Sequence, residues 1–302
     1  MVTSISSAQT RQGLIRLTRI GPLVEVENNV TGERIEGTPN ERITEDNTVI
    51  TTGEGSRVIL VFSNGATINL SADSQLNIET FQQDPFGGDY SIETATQEPE
   101  AKSITRLSLT RGELVGNVKT LRSDLGSEFT VSTPAGAAGI RGTTFRIVYR
   151  PDGNGQAFFS VMTLEGDVAV TTGTTGTTAA PISVTNEQTI EITVEVNDTT
   201  GEVTVVTPVA SLVPTTATPQ EVAQATESFQ QSAEAVVAIV LTAANDQVTG
   251  GTGNSGGTNT GTNTPAPEAE KKETAEPKKG NSETTNPTNT KNETTPQAGS
   301  GG

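Results

Sequence analysis

Between Arg57 and Val206 the chain is a succession of short runs rich in Val, Ile, Thr and Phe, each ended by Gly, Asn, Asp or Pro, with no sustained helical spacing between them. β-Branched side chains are stiff about χ1 and suit a half-buried pleated surface. Strands this closely spaced predict an all-β architecture, an antiparallel sandwich or solenoid-like roll of many short strands. The clearest local sign is Asn64-Gly65, set between Arg57–Ser63 and Ala66–Leu70. Both turn residues tolerate positive φ, so the pair predicts a hairpin. Pro151–Gly155 joins Thr143–Tyr149 to Ala157–Leu164 as another hairpin, and Glu165-Gly166-Asp167 turns the chain into Val168–Val170. Further strands are expected at Leu23–Val26, Thr105–Leu109, Leu114–Val118, Ser127–Thr133, Ile182–Val184, Thr189–Val196 and Glu202–Val206. The turn-rich stretch 82–103 reads as a surface excursion.

The pattern changes at Thr218-Pro219-Gln220-Glu221. Thr suits an N-cap, Pro the first helical position, and Glu three residues on completes a capping box. A helix is expected to about Asn245, with one stripe through Val222, Ala225, Phe229, Ala233, Val236, Val237, Val240, Leu241 and Ala244. That stripe can dock on the sheet or pair with another chain. Beyond Thr249 there is no Val, Leu, Ile or Phe. Such a segment cannot bury enough apolar surface to offset its ordering entropy. The expected organisation is therefore a β domain over 1–172, a linker with additional strands over 173–217, an amphipathic helix over 218–248, and a disordered tail over 249–302.

Charge and composition exclude several chemistries. A formal net charge of −17 repels phosphates, which argues against a nucleic-acid partner. The chain has no Cys and no His, which removes thiol nucleophiles, histidine-based triads and the usual zinc ligands. No cofactor is expected. No apolar stretch is long enough to span a membrane. Met1–Gln9 lacks the basic and apolar regions of a signal peptide.

The most unusual segment is Thr133–Phe145, where Gly136, Gly139 and Gly142 recur every third residue. A phosphate loop would need a following helix and usually a Lys, and a strand follows here instead. The spacing favours a tight crossover in which glycines permit close backbone approach or positive φ. Asp84, Asp89 and Asp152 lie in Gly-containing loops but lack the ligand spacing of a calcium loop. Asn29-Val-Thr and Asn197-Asp-Thr match the glycosylation sequon.

Gly142-Thr143-Thr144-Phe145 closely resembles the end of the glycine-rich signature of the FecR domain. The flanks agree in order: Thr51-Thr52-Gly53 to Ser56, Phe62-Ser63-Asn64-Gly65-Ala66, Leu109–Leu114 around Arg111-Gly112-Glu113, and Thr163–Val168. The resemblance covers about residues 20–172. It implies an envelope regulator whose periplasmic β domain relays a signal from an outer-membrane receptor to a sigma-factor regulator. The family's cytoplasmic segment, its Trp residues and its transmembrane helix have no counterpart here. A stand-alone module, periplasmic or extracellular after removal of a signal peptide, is therefore expected.

The resemblance also implies a candidate autocleavage site at Gly142–Thr143. There the Thr143 hydroxyl would attack the Gly142 carbonyl in an N-to-O acyl shift, although no His is present as a base. The functional expectation is a non-catalytic module that binds an envelope protein partner, a receptor or sigma-factor regulator. Its working surface would be the signature turn, Gly136, Gly139, Arg141, Gly142, Thr143 and Phe145, with adjoining edge strands able to accept an added strand. The alternative is a structural or matrix protein that associates with itself through its helix and β edges. A polysaccharide-directed enzyme would rest only on carboxylates that the sequence does not pair.

Overall fold

The computed structural model describes residues 11–35, 41–43, 46–87, 90–174, 177–178, 180–197, 203–207 and 212–249. Asp89, most of the second sequon and the tail beyond Thr249 lie outside the described residues.

The chain begins with β1 (Arg11–Gln12), β2 (Ile15–Ile20), β3 (Val24–Asn28), β4 (Arg34–Ile35) and β5 (Glu41–Ile43). Next come β6 (Thr48–Thr52), β7 (Arg57–Phe62), β8 (Thr67–Leu70), β9 (Gln75–Gln83) and β10 (Ser103–Asn117). After a 3-10 turn at Ser123–Leu125 follow β11 (Glu128–Thr133), β12 (Gly136–Ile140), β13 (Thr144–Pro151), β14 (Gln156–Glu165) and β15 (Asp167–Thr174). The series ends with β16 (Thr177–Thr178), β17 (Ile182–Thr185), β18 (Gln188–Val196), β19 (Val203–Val205), β20 (Thr215–Thr216) and the helix α1 (Pro219–Thr249).

These strands form two sheets. One runs β4-β3-β6-β9-β10-β11-β12-β15-β17, with β1 on the far end of β9. The other runs β5-β2-β7-β8-β10-β13-β14-β18, with β19 and β20 on β18. Only β10 belongs to both, so the strands make one continuous wall around a shared core. Among the described residues each ladder ends at an outer strand and does not return on itself, which makes the fold a two-sheet roll. From β11 onward the chain lays down one hairpin in each sheet alternately, as the solenoid-like expectation requires. One ladder departs from the antiparallel expectation: β10 and β11 pair in parallel, Ile104 opposite Glu128 through Ser108 opposite Ser132.

β10 is where the sequence misleads. Two short strands flanking Gly112 were expected, but residues 103–117 form one strand. Its first part, to Arg111, pairs with β9 in one sheet, and from Gly112 it pairs with β13 in the other. Gly112 sits at φ +95°, and a Cβ there would lie 2.5 Å from Ser74 Cα. The glycine bends the strand without ending it.

The core between the sheets is mostly aliphatic, and three of its aromatic rings form a knot. Phe62 on β7, Phe81 on β9 and Phe129 on β11 are each almost fully buried. The rings of Phe62 and Phe81 meet edge-on at 5.0 Å, and those of Phe62 and Phe129 at 6.3 Å. Phe62 thus ties its sheet to two strands of the other.

α1 docks on the outer face of the second sheet. Ala225, with Val222 and Phe229, packs on Val115 and Met162. Ala235 and Val236 cover Ile59 and Val61. The Asn69 amide donates to the Ser228 carbonyl at 3.0 Å, and Arg57 hydrogen-bonds Gln231. The docking alternative therefore holds for Val222, Ala225, Phe229 and Val236 of the stripe, whereas Ala233 and Val237 are exposed and the side chains of Val240, Leu241 and Ala244 lie outside the described residues. The capping box forms as expected: the Thr218 N–H and hydroxyl donate to Glu221 Oε2 at 2.9 and 2.7 Å, and the Glu221 N–H donates back to the Thr218 hydroxyl at 3.3 Å.

Those hydrogen bonds from Thr218, with Arg146 nearby, hold the Glu221 carboxyl below its usual value. A depressed folded-state pKa means the cap's contribution is complete above the unfolded glutamate range and disappears as pH falls through the folded value. Glu221→Ala should therefore lower stability by about 1 kcal/mol at pH 7, as cap losses do. Urea midpoints of the two proteins should converge as the medium is acidified below that range. A gap unchanged by acid would mean the carboxylate is not what caps the helix.

Candidate functional site

The glycine-rich segment is not the edge-flanked turn expected of it. Gly136–Ile140 is a strand paired on both sides, with β11 and with β15. Neither backbone edge is open to an added strand. The three glycines have different reasons to be there. A Cβ on Gly136 would lie 2.4 Å from the Thr171 carbonyl oxygen. Gly139 is exposed, and the nearest atom to a Cβ there would be 3.8 Å away. Gly142 turns the chain between sheets at φ +66°, where a Cβ would press on Thr120 at 3.1 Å. Close approach at Gly136 and positive φ at Gly142 are what the crossover reading requires.

The rest of the signature divides between surface and core. Arg141 is exposed, whereas Thr143 is 2% exposed and Phe145 is sealed in the core. Gly142, Thr143 and Thr144 line a cavity of about 270 Å³ together with Thr96, Asn117, Lys119 and Glu165. The Thr143 carbonyl accepts from the Val118 N–H at 2.9 Å, and the Asn117 amide donates to the Thr144 hydroxyl at 2.8 Å. Gly166 closes over the Gly142–Thr143 peptide so tightly that a Cβ would lie 2.8 Å from the Gly142 oxygen. The Thr143 hydroxyl is buried and makes no hydrogen bond among the described residues. The Thr143 side chain packs at the entry to β13.

Asn64 and Gly65 form the expected hairpin, with a different turn. Only Gly65 has positive φ, +89°, and its N–H donates to the Phe62 carbonyl at 2.9 Å. The buried Asn64 contributes its side chain instead: Oδ1 accepts from the Ala66 N–H at 3.1 Å and Nδ2 donates to the Ser103 hydroxyl at 3.3 Å. The excursion after β9 folds back over this turn. The Tyr90 hydroxyl donates to the carbonyls of Asn64 and Gln97 at 3.2 and 3.1 Å. Burial, reinforced by the charge of Glu98, pushes the Tyr90 pKa up to about 12. Glu98 is itself buried, accepting from the Ser103 hydroxyl at 2.6 Å and the Arg122 N–H at 2.5 Å.

Beside the helix N-terminus lies a charged set on the same sheet. Arg146 clamps Glu113 through two nitrogens at 2.7 and 2.9 Å, and Arg150 reaches the second oxygen of Glu113 at 2.8 Å. Both partners of the clamp are mostly buried, so the pair is screened little by solvent. Asp152 is occupied by its own hairpin loop, accepting the N–H groups of Asn154 and Gln156, which draw its pKa down. Among the described residues no three acidic side chains gather as a metal site would need. No helix among them is long and apolar enough to cross a membrane.

Sequence reading did not single out Tyr90, Glu98 or Lys119. Their roles come from the way the excursion packs against Gly65 and Thr120, which no local pattern announces. The Glu113–Arg146 clamp arises from the pairing of β10 with β13, which the sequence did not specify.

The family model described as FecR protein matches residues 48–169. Among solved structures, two crystal structures of a candidate anti-sigma factor from Parabacteroides distasonis align at 17% identity with a TM-score of 0.35. The alignment covers 58% of this chain and 62% of that one. No curated protein matches the chain.

Proposed function

We propose, starting from the FecR domain that residues 48–169 make up, that this chain is a non-catalytic module which binds a protein partner in an envelope signalling route. The family match carries the reading, and the packing supports it. The signature glycines serve close approach or turning, and the signature Phe fills the core. The groups left outward at the signature are Arg141 and its turn. The proposed contact is therefore that turn, together with the outer strands β17 and β19, whose outer edges pair with no strand among the described residues and can take an added one. The partner belongs to the receptor or sigma-regulator class, and the location is periplasmic or extracellular.

The test is a cross-linked pull-down of the native protein from cell envelopes, repeated with Arg141→Glu. Recovery of a receptor or sigma regulator, lost in the variant, supports the reading. Recovery of the chain itself or of surface polymer proteins would favour the self-associating alternative. Val222, Ala225, Phe229 and Val236 of the stripe are packed on the sheet, which leaves that alternative the exposed Val237 and the β edges.

Backbone cleavage at Gly142–Thr143 is part of the same proposal and has its own readout. Intact mass after long incubation is expected to show two fragments whose masses sum to the full mass plus one water, and Thr143→Ala should remain whole. An uncut wild-type chain, indistinguishable from the variant, removes cleavage from the account.

A further inference from the structure

The chain holds two Asn-Gly pairs, Asn64-Gly65 and Asn154-Gly155, and the fold treats them differently. In such a pair the backbone nitrogen of the glycine can attack the side-chain carbonyl carbon of the asparagine, because the glycine has no Cβ to block the approach. The attack needs a side chain free to turn and an N–H free to lose its proton. Asn64 has neither. It is buried, its Oδ1 accepts from the Ala66 N–H, and the Gly65 N–H is held by the Phe62 carbonyl. Those bonds must break before a ring can close. Asn154 stands exposed in the hairpin loop between β13 and β14. Asp152 Oδ1 accepts from the N–H groups of Asn154 and Gln156, at 2.8 and 2.9 Å, and passes over the one between them. The Gly155 N–H makes no hydrogen bond among the described residues. The Asn154 amide is held by one long bond, from Nδ2 to the Asp152 carbonyl at 3.3 Å. The loop borders a cleft of about 360 Å³ shared with Glu195 and Thr204, through which water reaches both residues.

We propose that Asn154-Gly155 is a site of self-modification with water as its only reactant, and that the fold protects Asn64-Gly65 from the same reaction. The Gly155 nitrogen bonds to Asn154 Cγ, the Cγ–Nδ2 bond breaks, and ammonia leaves with the Gly155 proton. The resulting five-membered imide takes up water at one of its two carbonyls. One opening gives aspartate at 154, the other isoaspartate. No oxidant or reductant is involved. Either product adds a negative charge to a cleft that already holds Glu195. Isoaspartate also lengthens the backbone inside a loop closed by two bonds of 2.8 Å, from the Asp152 N–H to the Gln156 carbonyl and from the Val196 N–H to the Gly155 carbonyl. The change therefore reaches the end of β18, the strand on which β19 is laid.

The test incubates the full folded chain in warm neutral buffer and follows both asparagines by peptide mapping, reading the mass gain of amide to carboxyl and the separate elution of isoaspartate. Asn154 should convert at least about tenfold faster than Asn64, whose reaction waits on local opening of its hairpin. Its rate should rise with pH, because the attacking N–H must lose its proton. In concentrated guanidinium chloride the two sites should convert at similar rates, which assigns the difference to the fold and not to the neighbouring sequence. Asn154→Gln should leave this loop unmodified and the rate at Asn64 unchanged. An Asn154 that stays intact, or that converts no faster than Asn64 in the folded chain, would overturn the proposal. So would conversion to aspartate with no isoaspartate, which would mean direct attack by water without Gly155. The partner-binding reading does not depend on Asn154, so either result leaves it standing.

Discussion

Replacing Phe62 by Ala is expected to cost about 4 kcal/mol, near the middle of the range for a fully buried Phe. The ring is 0% exposed and contacts Phe81 and Phe129 edge-on, so its removal empties a space bounded by both sheets. For a unit of this size such a loss lowers the melting temperature by about 8–16 °C, which calorimetry would read directly. Phe62→Leu keeps most of the volume and should recover more than half of the loss, leaving a deficit of about 1.5 kcal/mol. A Phe62→Ala protein melting within a few degrees of wild type would mean that the two sheets are not held by this knot.

Gly112→Ala carries the second large effect. The position combines φ +95° with a Cβ site 2.5 Å from the Ser74 backbone, so strain and overlap add. The expected loss is about 4 kcal/mol, from a forbidden backbone angle and a close contact that backbone alone must relieve. Ser74 cannot withdraw freely, because its N–H donates to the Thr52 hydroxyl at 3.0 Å and its own hydroxyl accepts from the Glu113 N–H at 3.0 Å. Gly139→Ala makes the control: a Cβ there has 3.8 Å of clearance and φ is not positive. It should change the urea midpoint by no more than about 0.5 kcal/mol equivalent. If both substitutions cost the same, the bend in β10 is not what Gly112 supplies.

These two glycines show where the sequence is informative and where it falls short. The strands, the Asn64-Gly65 and Pro151–Gly155 hairpins and the Thr218 capping box were legible because each has a local cause: alternation, turn chemistry or N-cap pairing. Gly112 read as a break because a glycine inside a strand run and a glycine between two runs look alike. Only Ser74, far away in the chain, decides between them. The glycine-rich signature read as a turn for a similar reason. Its composition is that of a loop, yet Ala138 and Ile140 are buried and Gly136 lies beneath a carbonyl of β15. The parallel pairing of β10 with β11 had no local sign at all. Of the candidate site, the residues at Gly142–Thr143 were found by their motif. Lys119 and Glu165, which share the cavity with them, come from a strand end and a hairpin turn and meet only through the winding of the roll.

That winding also sets an order of assembly. β11 pairs with β10, β13 with β10, β15 with β12, and β18 with β14. Each hairpin of the second half finds its partner among strands already made, so a chain emerging N-terminus first can add them one at a time, never waiting for a later segment. α1 comes last and covers a sheet that is then complete under it. The same property makes the roll extensible. A pair of hairpins added or removed at its growing end would leave every earlier register intact.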